Sequence, residues 1–191
     1  LPQGMPLEYN FISNAVVNIK PGLDQLLTLA VSDSLVKFKP VLVGTGSATK
    51  YFGIQNPSTK AVLIDSIKLP DYFTASLDGS NFTDQISSIS LPSESELTLQ
   101  IQCHPDSLGK FQGQMEVALS SGTVRRFLEI DLVGFGAPEI GTVITEKNVS
   151  GTWSKQNSPY YIVDHVSVAS NETLVIEPGT EILSLNSCLF E

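Results

Sequence analysis

Charged residues are scarce in this chain, and basic residues are the scarcest. Only 16% of the 191 residues are charged, and 11 lysines and arginines against 20 aspartates and glutamates give a net charge of −9. A nucleic-acid binder needs a basic surface that neutralises phosphates, whereas the basic pair Arg125-Arg126 lies inside a strand-like run. We therefore expect no nucleic-acid partner. Since hydrophobic residues make up 41% of the chain, the composition also excludes a disordered protein.

Cysteine and histidine are rare, with two of each. A disulfide-stabilised scaffold would need more cysteines, and a metal centre would need more ligands than these four residues could bring together. We interpret Cys103 and Cys188 as small buried hydrophobic residues, and a bridge between them is the alternative. We expect no metal and no cofactor.

Long apolar runs and catalytic signatures are also missing from the sequence. No run approaches the roughly 18 apolar residues of a membrane-spanning helix, so we predict no transmembrane segment. No nucleophile elbow, P-loop or HExxH motif is present, and we predict no catalytic residue. Because the chain begins at Leu1 rather than at methionine, we expect a processed or cloned segment.

Two local patterns could still carry chemistry. Glu129 and Asp131 share a strand face through their i, i+2 spacing and could act as paired carboxylates; we favour a solvated outer face, opposite Phe127, Leu128 and Ile130. Asp78-Gly79-Ser80-Asn81 could contact calcium, but one such loop supplies too few ligands, so we predict a plain turn.

Short alternating segments fill the chain and are organised around Lys50–Ile67, KYFGIQNPSTKAVLIDSI. The turn signal at Asn56–Thr59 separates two apolar runs, which predicts a hairpin. Leu97–Cys103 has the cleanest alternation of apolar and polar residues. Several such strands at intervals of about ten residues predict an all-β fold with an immunoglobulin-like β-sandwich.

Gly134–Pro138 marks the main predicted boundary, because glycines and a proline end a strand there. We predict an N-terminal extended segment packed on the sandwich (1–32), the sandwich (33–137) and a C-terminal segment (138–191). In the last of these, apolar residues recur every eight positions at Val166, Leu174 and Ile182. Equal steps favour stacked short strands, and an ordinary β-meander is the alternative.

Several motifs between residues 33 and 137 carry a family resemblance: Val41–Gly44, Tyr51–Asn56, Leu97–Ile101 and the closing Leu132…Gly134-Phe135-Gly136. With them, this region resembles bacterial immunoglobulin-like domains of the ASH/Hydin-like, choice-of-anchor group, which are relatives of the PapD and major sperm protein sandwiches. Cys103-His104-Pro105 departs from the pattern, in which an aromatic residue usually precedes the x-Pro. The resemblance implies an immunoglobulin-like sandwich.

Residues 151–190 carry Gly151…Trp153, Ser158-Pro159-Tyr160 and Leu174–Ile182. This pattern resembles the opening coil of a right-handed parallel β-helix in secreted bacterial proteins. The resemblance implies a β-helix-like C-terminal segment and an extracellular, cell-surface or periplasmic location. Because a solenoid needs about three repeats to bury its core, we expect that the chain is a fragment or that this segment packs against the sandwich.

The most suggestive candidate site consists of Trp153, Tyr160, Tyr161 and His165, with Asp164 beside them. Sugars stack on flat aromatic faces, so these four residues are the predicted ligand-binding residues. The alternative is that the aromatic rings plug the end of the β-helix or pack between domains.

We therefore expect a non-enzymatic exported surface module that acts as a spacer, in adhesion or in carbohydrate binding, with a polysaccharide or another surface protein as partner. The main alternative is an accessory region of a β-helix polysaccharide-degrading enzyme whose catalytic coils lie outside this chain. A third hypothesis is strand exchange with a partner through Leu97–Cys103, if that strand lies at a sheet edge.

Overall fold

The computed structural model describes residues 29–44, 47–121, 124–185 and 188, and strands dominate these ranges. The strands are β1 (Ala30–Val31), β2 (Leu35–Lys37), β3 (Val41–Leu42), β4 (Ala48–Asn56), β5 (Val62–Lys68), β6 (Phe73–Ser76), β7 (Gln85–Leu91), β8 (Ser95–Cys103), β9 (Gly109–Ser121), β10 (Val124–Ala137), β11 (Thr142–Ile144), β12 (Gly151–Trp153), β13 (Tyr160–Ile162), β14 (Leu174–Ile176) and β15 (Ile182–Ser184). One short 3₁₀ turn covers Lys155–Asn157. The predicted all-β class is confirmed.

Two sheets form the immunoglobulin-like sandwich. One has the strand order β1-β4-β8-β6, and the other has the order β2-β10-β9-β5-β7 with β3 paired to β10. Alternation along the strands supplies the core, as predicted for β8, where Leu99, Ile101 and Cys103 are fully buried. The facing sheet contributes Ile64, Ile67, Met115, Val117 and Ile130, all at most 1% exposed.

The described chain divides into two compact units. The first contains the described residues up to Val36 together with Thr49–Gln102 and Gly113–Leu132, and the second contains Lys37–Ala48, Cys103–Gln112 and residues from Val133 onward. Residues 1–28 of the predicted N-terminal segment lie outside the described ranges. The described end of that segment is bonded to the sandwich, since Ala30 and Val31 of β1 pair with Gln55 and Ile54 of β4. The predicted domain boundaries stay predictions.

The predicted hairpin at Lys50–Ile67 is wrong, because β4 and β5 belong to different sheets. The chain turns from one sheet to the other just after Asn56, whose side chain is fully buried. Its amide nitrogen donates to the carbonyl oxygens of Lys60 (2.8 Å), Leu91 (3.2 Å) and Pro92 (2.8 Å), and its Oδ1 accepts from the backbone N–H of Ser58 (3.1 Å). The polar turn signal is therefore a corner between layers rather than a hairpin loop.

Strand β8 lies inside its sheet, between β4 and β6. Leu97–Cys103 is therefore not an edge strand, and the condition of the strand-exchange hypothesis is not met there. Strand β7 stands at one end of the six-stranded order, with β2 at the other, and it pairs with β5 in an antiparallel register from Val62↔Leu91 to Lys68↔Gln85. Alternation in sequence predicts a half-buried strand but does not give its position in the sheet.

The C-terminal strands pair in parallel and not as an antiparallel meander. In one sheet Thr142 of β11 pairs with Tyr160 of β13, which pairs with Ile182 of β15; in another, Gly151 of β12 pairs with Leu174 of β14. The eight-residue spacing does not describe this stacking, because β14 and β15 belong to different sheets. Stacked strands begin 18 to 23 residues apart.

Both cysteines are free. Cys103 is completely buried, and burial raises the pKa of its thiol to about 11, because the low-dielectric interior disfavours the thiolate. The Cys188 thiol is half-buried, and its Sγ lies 2.9 Å from the carbonyl oxygen of Leu185. Among the described residues, no helix is long and apolar enough to cross a membrane.

Candidate functional site

Two of the four predicted ligand-binding residues lie in the core of the second unit. Trp153 is 6% exposed and Tyr160 is 3% exposed, and their rings stack with centroids 4.7 Å apart and planes at 8°. The Tyr160 hydroxyl accepts a hydrogen bond from the backbone N–H of Ser154 (2.9 Å). Around this pair pack Val149, Ile162, Val166, Ile144, Val168, Leu174, Ile182 and Cys188. Core side chains therefore pack around the rings of Trp153 and Tyr160, and the ligand-binding role of these two residues stays a prediction.

The other two predicted residues lie nearer the surface. Tyr161 is half-buried, and its ring lies over Gly141, where an added Cβ would come within 2.8 Å of the ring. His165 is exposed, and its backbone N–H donates to Asp164 Oδ1 (2.9 Å). Because ring faces from all four residues do not converge on one open surface, the structure does not bring the set together as a binding patch.

Asp164 has a structural partner in the same unit. The ammonium group of Lys110 donates to Asp164 Oδ2, and this hydrogen bond is the main cause that lowers the pKa of the carboxyl group, with burial opposing it. The carboxylate therefore joins the segment that follows β13 to β9.

The loop at Asp78 uses its carboxylate internally. Asp78 Oδ1 accepts from the backbone N–H groups of Asn81 (2.9 Å) and Ser80 (2.8 Å) and from Ser76 Oγ (2.8 Å). These bonds, led by that of Asn81, hold the pKa of Asp78 well below its usual range. The arrangement is the plain turn that the sequence predicts. Within the described ranges, no group of three or more His, Cys, Asp or Glu side chains is arranged to hold a metal ion.

The outer face of the six-stranded sheet differs from its prediction. Along β10, Arg125, Phe127, Glu129 and Asp131 are exposed, whereas Leu128 is half-buried and Ile130 is buried. Phe127 therefore lies on the same face as the two carboxylates, and not opposite them. Its side chain is 59% exposed.

A cavity of about 310 Å³ lies on this outer face, within the first unit. Strands β5, β9 and β10 line it with Asp65, Ser66, Lys68, Glu116, Ala118, Leu119, Arg125 and Phe127. Asp65 lies where the register between β5 and β9 shifts between Ile64 and Ser66, and such bulges re-aim side chains. Ser120 Oγ donates to Asp65 Oδ1 at 2.7 Å and holds this carboxylate in place.

Sequence reasoning missed this cavity, although one signal was available. If Ile130 and Leu132 face inward, a period of two places Phe127 outward. The irregular register at Asp65 and the adjacency of β5, β9 and β10 are long-range features that no local pattern contains.

Comparisons with known proteins find distant structural likenesses. No protein-family model matches the chain, and no curated protein matches it. The ASH/PapD-like domain 7 of human CEP192 is similar over 71% of this chain and 98% of its own, at 13% identity and a TM-score of 0.49.

Two bacterial structures are similar to a lesser extent. A Porphyromonas gingivalis protein of unknown function matches 65% of this chain and 58% of its own, at 11% identity and a TM-score of 0.48. The Salmonella enterica SafA pilin complex with the SafB chaperone matches 63% of this chain and 60% of that one, at 14% identity and a TM-score of 0.44.

Proposed function

We propose that this chain is a non-enzymatic module of an exported surface protein, in which an immunoglobulin-like sandwich leads into the first coils of a parallel β-helix. In this role the chain is a stiff spacer that presents a binding surface outside the cell or in the periplasm. Its predicted partners are a polysaccharide or another surface protein.

The order of the parallel pairings carries this proposal. Along the chain, β11, Asn148 and β12 are followed by β13, Ser167 and β14, and each member of the first set pairs in parallel with its counterpart in the second. Strand β15 then pairs with β13 and begins a third set. A repeated order of parallel pairings is typical of successive coils in a solenoid.

The interior of these coils supports the same proposal. The stacked Trp153 and Tyr160 rings and the buried Val149, Ile162 and Val166 side chains come from segments of both coils. Each coil alone has too little apolar surface for a core, and stacking provides it. A stack of this kind resists bending, which suits a spacer.

The described carboxylates with lowered pKa values support a structural rather than a catalytic role. The carboxylate of Asp78 is bonded within its own turn, and the carboxylate of Asp164 is bonded to Lys110. In both cases the shift comes from hydrogen bonds that hold the backbone or join two segments.

One observation favours the alternative of an accessory region in a β-helix polysaccharide-degrading enzyme. Ile176 of β14 is 43% exposed, although its register partner Trp153 lies in the core of the coils. An apolar side chain on the inner face of the last strand in a stack is the surface that a further coil covers, and catalytic groups of such an enzyme would lie on further coils.

Incubation with a panel of polysaccharides tests the proposal. We expect no release of reducing ends and no unsaturated products from the wild-type chain, with or without added Ca²⁺. The matched control is Glu129→Gln with Asp131→Asn, which removes the exposed carboxylate pair. Turnover by the wild type would contradict the proposal, and its loss in the double variant would identify the carboxylate pair as catalytic.

A further inference from the structure

The cavity on the outer face of the six-stranded sheet combines two features that point to a ligand. A phenyl ring is largely exposed, since Phe127 is 59% exposed. Acidic and basic side chains from three strands surround it. A single exposed aromatic residue has no significance alone, but an aromatic ring at the wall of a cavity with convergent polar groups is typical of a binding site.

The charges of the lining indicate which ligand would fit. The carboxylates of Asp65 and Glu116 are balanced by the cations of Lys68 and Arg125, so the cavity lining has no formal net charge in a chain of −9. The two carboxylates would repel a phosphate or an acidic peptide, and Lys68 and Arg125 would repel a cationic ligand. A neutral ligand with many hydroxyl groups could bond to both signs, because carboxylates accept and ammonium or guanidinium groups donate.

We propose that this cavity binds a neutral pyranose unit of a glycan. The apolar C–H face of the sugar lies on the Phe127 ring, and its hydroxyl groups bond to Asp65, Glu116, Lys68 and Arg125. The volume of about 310 Å³ has room for a sugar ring and is at the lower end of the range of roughly 300–1,000 Å³ for ligand sites. This inference rests on the proposed function, since it names the ligand class of the same surface module.

The strands hold the proposed contacts in a fixed geometry. Lys68 of β5 lies directly opposite Glu116 of β9 in the register. Asp65 is held by the 2.7 Å bond from Ser120 Oγ at the bulge. A backbone fixed by strand pairing loses little freedom on binding, which favours recognition of a weakly binding ligand such as a sugar.

A glycan array with neutral and uronate-containing oligosaccharides tests the inference, followed by calorimetric titration of the best neutral oligosaccharide. We expect selective binding of neutral glycans, and at least about tenfold weaker binding by Phe127→Ala because a stacking contact is lost. Phe127→Tyr keeps the ring and retains binding. The matched control is Leu63→Ala, which removes another exposed apolar side chain (43%) from this sheet but does not line the cavity.

Three outcomes would overturn the inference. The first is that no glycan binds, the second is that Phe127→Ala binds as the wild type does, and the third is that the chain binds only uronate glycans. Since Phe127 and Leu63 are exposed, both alanine variants should fold, and circular dichroism checks this. Polysaccharide turnover would refute the proposed non-enzymatic role, whereas binding that depends on Phe127 would still establish the cavity as a glycan site.

Discussion

Trp153→Ala lowers the free energy of unfolding of the C-terminal unit by about 3–5 kcal/mol, the range for removing a large aromatic side chain from a packed core. The indole ring is 6% exposed and stacks on Tyr160 at 4.7 Å, so its removal leaves a cavity and an unstacked ring. Thermal unfolding followed by circular dichroism at several wavelengths measures the loss.

Tyr161→Ala is the control for this prediction, because Tyr161 lies on the same segment but is only half-buried. We expect a loss of about 1 kcal/mol or less from this more exposed position. A Trp153→Ala variant that is as stable as the wild type, but has lost glycan binding, would contradict the core assignment. It would support the sugar-binding role that the sequence predicts for Trp153.

Asn56→Ala is expected to destabilise the first unit by about 2–4 kcal/mol, because it removes the donor to three carbonyl oxygens at a buried corner. The bond to the Leu91 carbonyl oxygen is buried, whereas the bonds to the Lys60 and Pro92 carbonyl oxygens are partly buried. In the variant, water can therefore form hydrogen bonds with some of these oxygens but not with all three. Denaturant titration of the purified variant measures the change.

Two further variants sharpen this test. Asn56→Asp keeps the shape but places a carboxylate against three carbonyl oxygens, so we expect it to be at least as destabilising as alanine. Ser58→Ala removes the bonds from Ser58 Oγ to Asn56 Oδ1 (2.6 Å, partly buried) and to the Lys60 carbonyl oxygen (2.8 Å, exposed), and the bond that Ser58 Oγ accepts from the Lys60 N–H (3.4 Å, exposed). Because two of these three bonds are exposed to water, this variant should cost about 1 kcal/mol. Equal stability of Asn56→Ala and the wild type would show that the corner does not depend on this side chain.

The sequence predicts strands well where one face is buried. Along β8, the alternating pattern identifies Leu99, Ile101 and Cys103 as the inward residues, and all three are fully buried. The pairing of strands cannot be predicted in the same way, because alternation does not identify the neighbouring strand. The turn at Asn56 therefore has the sequence pattern of a hairpin loop, although the hydrogen bonds of its side-chain amide join segments up to 36 residues apart.

The candidate sites show the same division between local and long-range information. Trp153 and Tyr160 are conspicuous in sequence because aromatic residues bind sugars, but the same property makes them good core residues. The cavity at Phe127 depends on the adjacency of β5, β9 and β10 and on the bulge at Asp65. Neither the adjacency of these strands nor the position of the bulge can be deduced from residues that are near one another in the chain.

Paired cysteines in β12 and β14 test the stacking of the proposed coils most directly. Thr152 and Val175 are register partners and both are exposed. Neighbouring strands are about 4.8 Å apart, which lies within the Cα separation of roughly 4.4–6.8 Å that a disulfide spans. The double variant Thr152→Cys with Val175→Cys, in a Cys188→Ala background, should therefore form a bridge under mild oxidation.

The control is Thr152→Cys with Leu183→Cys, because Leu183 is also exposed but belongs to the other parallel sheet. Mass spectrometry after proteolysis measures both bridges. Rapid and nearly complete bridging of 152 with 175, and little bridging of 152 with 183, is the predicted result. Equal bridging in both pairs, or none between 152 and 175, would contradict the stacked parallel coils on which the proposed function rests.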